Sequence, residues 1–258
     1  MPGHWRRPEA LVALVALAWF GAAAAQDLRP VVAVVKPSIV GIGTYQRTRR
    51  PPSALRGTGF VVTDGRHAIT NAHVIPKALN VAGGEVIAVF TGTGRRVGVR
   101  PARVVAADPD HDIVVLAFEG APMPALTLGD DREITEGEAI AFTGFPIGAV
   151  LGLYPVTHHG IVSAITPIAI PMPSPGALDS ALIRRLRDSY RVFQLDATAY
   201  PGNSGSPLYR AADGVVVGVI NSVYVKGTKE TLLSDPSGIT YAVPIRYARA
   251  LLDKLAGE

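Results

Sequence analysis

Three short segments of the chain hold the residue types needed to activate a serine. Thr70-Asn71-Ala72-His73-Val74-Ile75 sets a His just after a strand-like run, and Asp108-Pro109-Asp110-His111-Asp112-Ile113 sets carboxylates just before another. Pro201-Gly202-Asn203-Ser204-Gly205-Ser206-Pro207-Leu208 sets a Ser between glycines on a tight turn. A serine hydroxyl is a poor nucleophile at neutral pH and needs a neighbouring base to take its proton. Imidazole suits that role because its unperturbed pKa is about 6.5. A carboxylate behind the ring fixes the tautomer and stabilises the imidazolium that forms. Glycines beside the Ser let backbone N–H groups converge where a tetrahedral oxyanion would sit. The segments supply each part in the order His, Asp, Ser. Taken singly, each has a plainer reading: a structural histidine, a turn aspartate, a Gly-rich loop.

The elements that must position these residues are short and apolar. Ser38–Tyr45, Thr58–Val62, Glu85–Phe90, Val97–Ala107 and Ile113–Phe118 form one series of strand-like runs. Ala139–Thr143, Gly160–Ile165, Val192–Asp196, Val215–Val225 and Ile239–Val243 form a second. Regular short strands separated by turn residues predict an all-β sandwich or barrel rather than βαβ units. Gly120-Ala121-Pro122-Met123-Pro124 separates two six-strand-sized halves, 26–120 and 126–258. Ile245–Ala256, with Leu251, Leu252 and Leu255, predicts a closing helix. One stretch, 167–191, breaks the rhythm. Prolines 167, 171, 173 and 175 lead into Leu178, Leu182, Leu186 and Tyr190, the seam of a short amphipathic helix on a proline-rich arm.

Together the segments resemble the chymotrypsin-like serine proteases, and most closely their bacterial HtrA/Deg-type branch. Val34–Val40 is similar to that branch's opening strand, and Gly57-Thr58-Gly59-Phe60 to the glycine-containing strand before its His. Gly144–Gly148, Gly160–Ala164, Gln194–Ala197 and Ile239–Pro244 resemble segments of its second half. The resemblance implies two six-stranded antiparallel β-barrels with the site in the cleft between them. It implies Ser204 as nucleophile, His73 as general base and Asp112, rather than Asp108 or Asp110, as the orienting carboxylate. His111 is expected to be a solvated neighbour. The oxyanion hole would come from backbone N–H groups of Gly202, Ser204 and also Asn203. Thr198 stands six residues before the Ser, where cleavage after Lys or Arg needs an Asp. Val215–Val225 holds no His of the kind that the glutamyl endopeptidase branch uses, although that branch shares the Gly-Asn-Ser-Gly-Ser run. Thr198, Asn221 and Ser222 are the expected pocket lining, for a neutral, small-to-medium side chain. The chain ends soon after the second barrel, so no PDZ domain is expected. Trimers occur among Deg-type proteases, which makes a homo-oligomer compatible with the resemblance.

Composition narrows the alternatives. The 258 residues include no Cys, which excludes disulfides, thiolate metal sites and Cys nucleophiles. A formal charge of +4 is too small and too scattered for a nucleic-acid face. Arg6 and Arg7, the apolar run Ala10–Ala25 and the small residues before Gln26 predict a secretory signal peptide over 1–25. That run is shorter than the roughly 20 residues of a membrane span. The chain is therefore read as exported, periplasmic or secreted, with polypeptide substrates and no cofactor. A lipase elbow is disfavoured because Ser206 replaces the final Gly of G-x-S-x-G. His158-His159 lacks a third ligand at metal spacing and is expected on a surface loop. The rival from another class is a non-catalytic or latent peptide-binding protein of the same fold, since strand addition to a cleft needs no nucleophile.

Overall fold

The computed structural model describes residues 27–94, 96–146, 152–168, 190–221 and 239–257. The signal-peptide expectation, Ser222 and all but the ends of the 167–191 arm lie outside the described residues. Six strands close the first barrel: β1 (Ile39–Tyr45), β2 (Ser53–Val62), β3 (His67–Asn71), β4 (Val86–Thr93), β5 (Arg96–Asp108) and β6 (Ile113–Phe118), in the order β1-β2-β3-β6-β5-β4. Six more close the second: β7 (Ala139–Gly144), β8 (Val156–Pro167), β9 (Arg191–Asp196), β10 (Pro207–Arg210), β11 (Val216–Asn221) and β12 (Ile239–Pro244), in the order β10-β11-β12-β9-β8-β7. All these pairings are antiparallel. The strands follow the apolar β-branched runs. Ile113–Phe118 is buried at all but one position and Val216–Asn221 at every one, as expected of strands covered on both faces.

Val40, Ile42, Val61, Val89, Val114 and Leu116 pack together within the first barrel. Ile140, Phe142, Val162, Phe193, Leu208 and Val217 do so within the second. A third cluster holds residues of both barrels, with Phe60, Ile69 and Phe90 from one and Ala141, Tyr209 and Val219 from the other. This shared core fixes the two barrels against each other and hence the walls of the cleft.

Two helices depart from the simplest reading of the sequence. The segment Val34–Val40 was expected as an opening strand, but α1 (Arg29–Val35) and a 3-10 turn over Lys36–Ser38 occupy its first part. Pro30 at the start of α1 and Pro37 in the turn explain this, because both suit the first positions of helical segments and neither can donate to a sheet. The closing helix α2 (Arg246–Ala256) forms as expected but rests on β5 and β6 of the first barrel. Buried Asp131 holds its start, accepting from the Arg246 backbone N–H at 2.9 Å and from its Nε at 2.6 Å. At the base of the proline-rich arm, the Ile168 N–H donates to the Tyr190 carbonyl. Among the described residues no helix is long and apolar enough to cross a membrane.

Candidate active site

His73 sits in the 3-10 turn Ala72–Val74 that directly follows β3, and Asp112 ends the turn that leads into β6. β3 and β6 are neighbours, with Asn71 opposite Ile113, so the two segments meet at one end of the first barrel. His73 Nδ1 lies 2.6 Å from Asp112 Oδ2. An ionised carboxylate only accepts, so Nδ1 carries the proton and Nε2 is left with its lone pair able to accept one. The rest of Asp112 is fixed from several sides. Its Oδ1 accepts from the His73 backbone N–H at 2.8 Å, and its Oδ2 also accepts from Asn221 Nδ2 at 2.8 Å. Its carbonyl accepts from the Ala72 N–H and from Asn71 Nδ2, both at 3.0 Å. Asp112 is also one of two described non-glycine residues with positive φ, at 54°. Aspartate tolerates this left-handed region better than most residues, and here the conformation turns the carboxylate back toward the imidazole.

Ser204 lies on the loop between β9 and β10 and is nearly buried. The turn before it, Tyr200-Pro201-Gly202-Asn203, is closed by the Asn203 N–H donating to the Tyr200 carbonyl at 2.9 Å. Pro201 supplies the fixed φ of the second turn position, and Gly202 supplies the positive φ, 101°, of the third. Gly205 follows at φ 86°, and its N–H donates to the Ile220 carbonyl. The Asn203 N–H is thus committed to the turn. Its expected share in an oxyanion hole is corrected, because an amide already bonded to a carbonyl is not offered to a substrate.

The first barrel grips this loop through β2. The Thr58 N–H donates to the Ser204 carbonyl at 2.9 Å and the Thr58 hydroxyl to the Gly202 carbonyl at 2.7 Å. Gly57 allows this approach: a Cβ there would lie 2.9 Å from the Ser204 carbonyl oxygen and 2.7 Å from Val74. In the sequence alone, Gly57–Phe60 reads only as a strand before the His. The signal for more was the polar Thr58 between two glycines, where the backbone of another segment could come close.

Several side chains stand elsewhere than expected. Asn221, expected to line a pocket, ends β11 and donates its amide to Asp112, since a buried strand end facing the other barrel puts it beside the carboxylate. Thr198 is partly buried on the loop before Ser204. His111 is not a free solvated neighbour: its Nδ1 lies 2.7 Å from Asp108 Oδ2, and its ring stacks on Tyr247 of α2 at 3.6 Å. His158 and His159 lie on β8 rather than a surface loop. The His158 ring stacks on Phe142 at 4.7 Å and lies 6.0 Å from Tyr200. Burial pushes its pKa below the ordinary value, and its buried Nε2 has no hydrogen-bond partner among the described residues. Among the described residues no three His, Cys, Asp or Glu side chains gather to hold a metal.

Residues 57–219 match the family model described as the trypsin-like peptidase domain. A probable periplasmic serine endoprotease, DegP-like, of Halomonas elongata is 31% identical over 204 residues, which are 78% of this chain and 35% of that protein. A protein of the same description from Chlamydia trachomatis is 30% identical over 84% of this chain and 37% of its own length. The chain thus spans little more than a third of these curated relatives. Among solved structures, the HtrA-type protease AlgW with a tripeptide superposes with a TM-score of 0.61 at 25% identity, over 89% of this chain and 63% of that one. AlgW with a decapeptide gives 0.64 at 21% identity, a likeness of fold, over 90% of this chain and 68% of that one.

Proposed function

Since the chain belongs to the trypsin-like peptidase domain family, we propose that it is a serine endopeptidase acting through an acyl-enzyme, with Ser204, His73 and Asp112 as its triad. The observation that carries this reading is the bonded chain from Asn221 through Asp112 to His73 Nδ1, with the Ser204 loop pinned to the same barrel by Thr58. Ser204 Oγ attacks the scissile carbonyl carbon and passes its proton to His73 Nε2. The oxyanion that forms is met by the backbone N–H groups of Gly202 and Ser204. When the C–N bond breaks, His73 gives the proton to the departing amine. Water then attacks the acyl-enzyme with His73 again as base, releasing the acid and restoring the serine. Asp112 holds the imidazole in its Nδ1–H tautomer and stabilises the imidazolium in both halves.

Extended or unfolded segments of exported or envelope proteins are the substrate class in this reading. The naming of the relatives as periplasmic endoproteases and the peptide-bound AlgW structures support it. The test is labelling of the purified protein with a fluorophosphonate probe. Wild-type protein is expected to label, and Ser204→Ala to label not at all. A well-folded wild type that takes no label would favour the latent or non-catalytic reading, with partners sought by their binding to the cleft.

A further inference from the structure

A buried hydroxyl outside the triad lies against the Ser204 loop. Thr58 on β2 is fully buried at the junction of the two barrels. Its Oγ donates to the Gly202 carbonyl at 2.7 Å and accepts from the Phe145 N–H at 3.0 Å, both in the second barrel's half of the chain. Its own carbonyl accepts from Thr70 Oγ1 at 2.6 Å, beside the strand that leads to His73. From the Thr58 side chain, then, one hydrogen bond runs to the turn that presents the nucleophile and another to the end of β7.

We infer that the Thr58 hydroxyl is a positioning residue for the oxyanion-binding turn, an inference that rests on the reading of Ser204 as nucleophile. The argument is geometric. The Gly202 N–H lies in the plane that joins Pro201 to Gly202 and the Ser204 N–H in the plane that joins Asn203 to Ser204, so both are aimed by the neighbouring Gly202–Asn203 and Ser204–Gly205 planes, the first of which the Asn203 N–H ties at one end to the Tyr200 carbonyl. Gly202 has no side chain and a φ of 101°, so little within the residue itself resists rotation of those planes. The bond from Thr58 fixes the plane that joins Gly202 to Asn203, and the Thr58 N–H fixes the plane after Ser204. Donors aimed beforehand at the developing oxyanion act without reorganising during the reaction, so a turn free to swing loses rate rather than ground-state binding. Phe145 contributes from the other side: by donating to the same oxygen it leaves the hydroxyl proton directed at Gly202. A strand of the first barrel thereby sets the geometry of an anion site built in the second.

The experiment compares the full chain with Thr58→Val, which keeps the shape and removes the hydroxyl, and with Thr58→Ser, which keeps the hydroxyl. Thr58→Ala replaces the valine variant should that one fail to fold. Peptide hydrolysis, inhibition by a peptide aldehyde and a crystal structure are measured for each. With valine, kcat is expected to fall about 10- to 100-fold, short of the loss of an oxyanion donor itself. KM should stay within about threefold, because uniform binding is untouched. Aldehyde affinity should fall by the same factor as kcat, since its hemiacetal places an oxyanion in the same site. Thr58→Ser should restore most of both. Rate losses equal in the Ser and Val variants, or losses carried by KM alone, would make Thr58 a packing residue and overturn the inference. So would a valine variant with kcat within twofold of wild type and an unmoved Gly202 peptide. A wild type that neither labels nor hydrolyses would overturn the reading of Ser204 instead. The crystal structure of the valine variant would then still decide whether the hydroxyl holds the turn.

Discussion

The two barrels treat their histidines differently. On the first, each histidine has a carboxylate partner: His67 with Asp64 at 2.8 Å, His73 with Asp112 at 2.6 Å and His111 with Asp108 at 2.7 Å. On the second, His158 is stacked on Phe142, and its buried Nε2 has no hydrogen-bond partner among the described residues. Among the same residues the buried side-chain amide of Asn203 and the hydroxyl of Ser206, which flank Ser204 and Gly205, likewise find none. The His73–Asp112 pair is thus built mostly by bonds within its own barrel, with Asn221 of the second adding one. The Ser204 loop depends on glycine geometry and on bonds reaching over from the other barrel. One half of the site leans chiefly on local bonds and the other more on how the barrels meet.

Replacing Asp112 by Asn strikes the first barrel's half. The amide offers an N–H₂ where the carboxylate accepted, so either His73 Nδ1 loses its acceptor or the ring takes the wrong tautomer. Loss of about 10⁴ in kcat with the fold retained is expected. Turnover within tenfold of wild type would detach this carboxylate from the reaction. Gly205→Ala strikes the dependent half. A Cβ there would sit 2.1 Å from the Thr58 carbonyl oxygen and 2.3 Å from Thr70 Oγ1, at a φ of 86°. Backbone strain and overlap together should destabilise the protein by about 3 kcal/mol, read as a lower denaturation midpoint. A loss under about 1 kcal/mol would mean that β2 gives way easily and that the contact between the barrels is softer than its bonds indicate.

The same division decides what was legible in the sequence. His73 and Ser204 stand out by residue type and by the strands and glycines beside them, whereas the choice of Asp112 over Asp108 and Asp110 rests on the family resemblance. Local rules suffice for such signals, and alternation of apolar and turn residues suffices for most strands. What the sequence left open depends on contacts between distant segments. Asn221 looks like any polar residue after a buried strand until β11 is placed against the first barrel, and its bond to Asp112 spans 109 positions. Thr58 and Gly202 are 144 positions apart. His111 found its stacking partner on a helix from the far end of the chain. Strand β10, with four residues starting at a proline, carries too little periodicity to be read. Helix α1 was hidden by the valines of a segment that looks extended.

The smallest effect probes the unpaired imidazole directly. Desolvation alone lowers the His158 pKa from its ordinary value of 6.5, with no carboxylate to counter it. In the unfolded chain the ring regains water and its ordinary pKa. As pH falls through that ordinary value, the unfolded state takes up its proton first. Folding stability should therefore be lost on going below about pH 6.5, the loss levelling off once pH is below the folded-state pKa. His158→Phe keeps the stack on Phe142 and carries no proton. The wild type's denaturation midpoint should fall away from that variant's as pH drops from 7.5 to 5, the two differing by a constant amount above about pH 7. Curves that stay parallel over the whole range would mean that water reaches the ring and that its burial on β8 does not hold in solution.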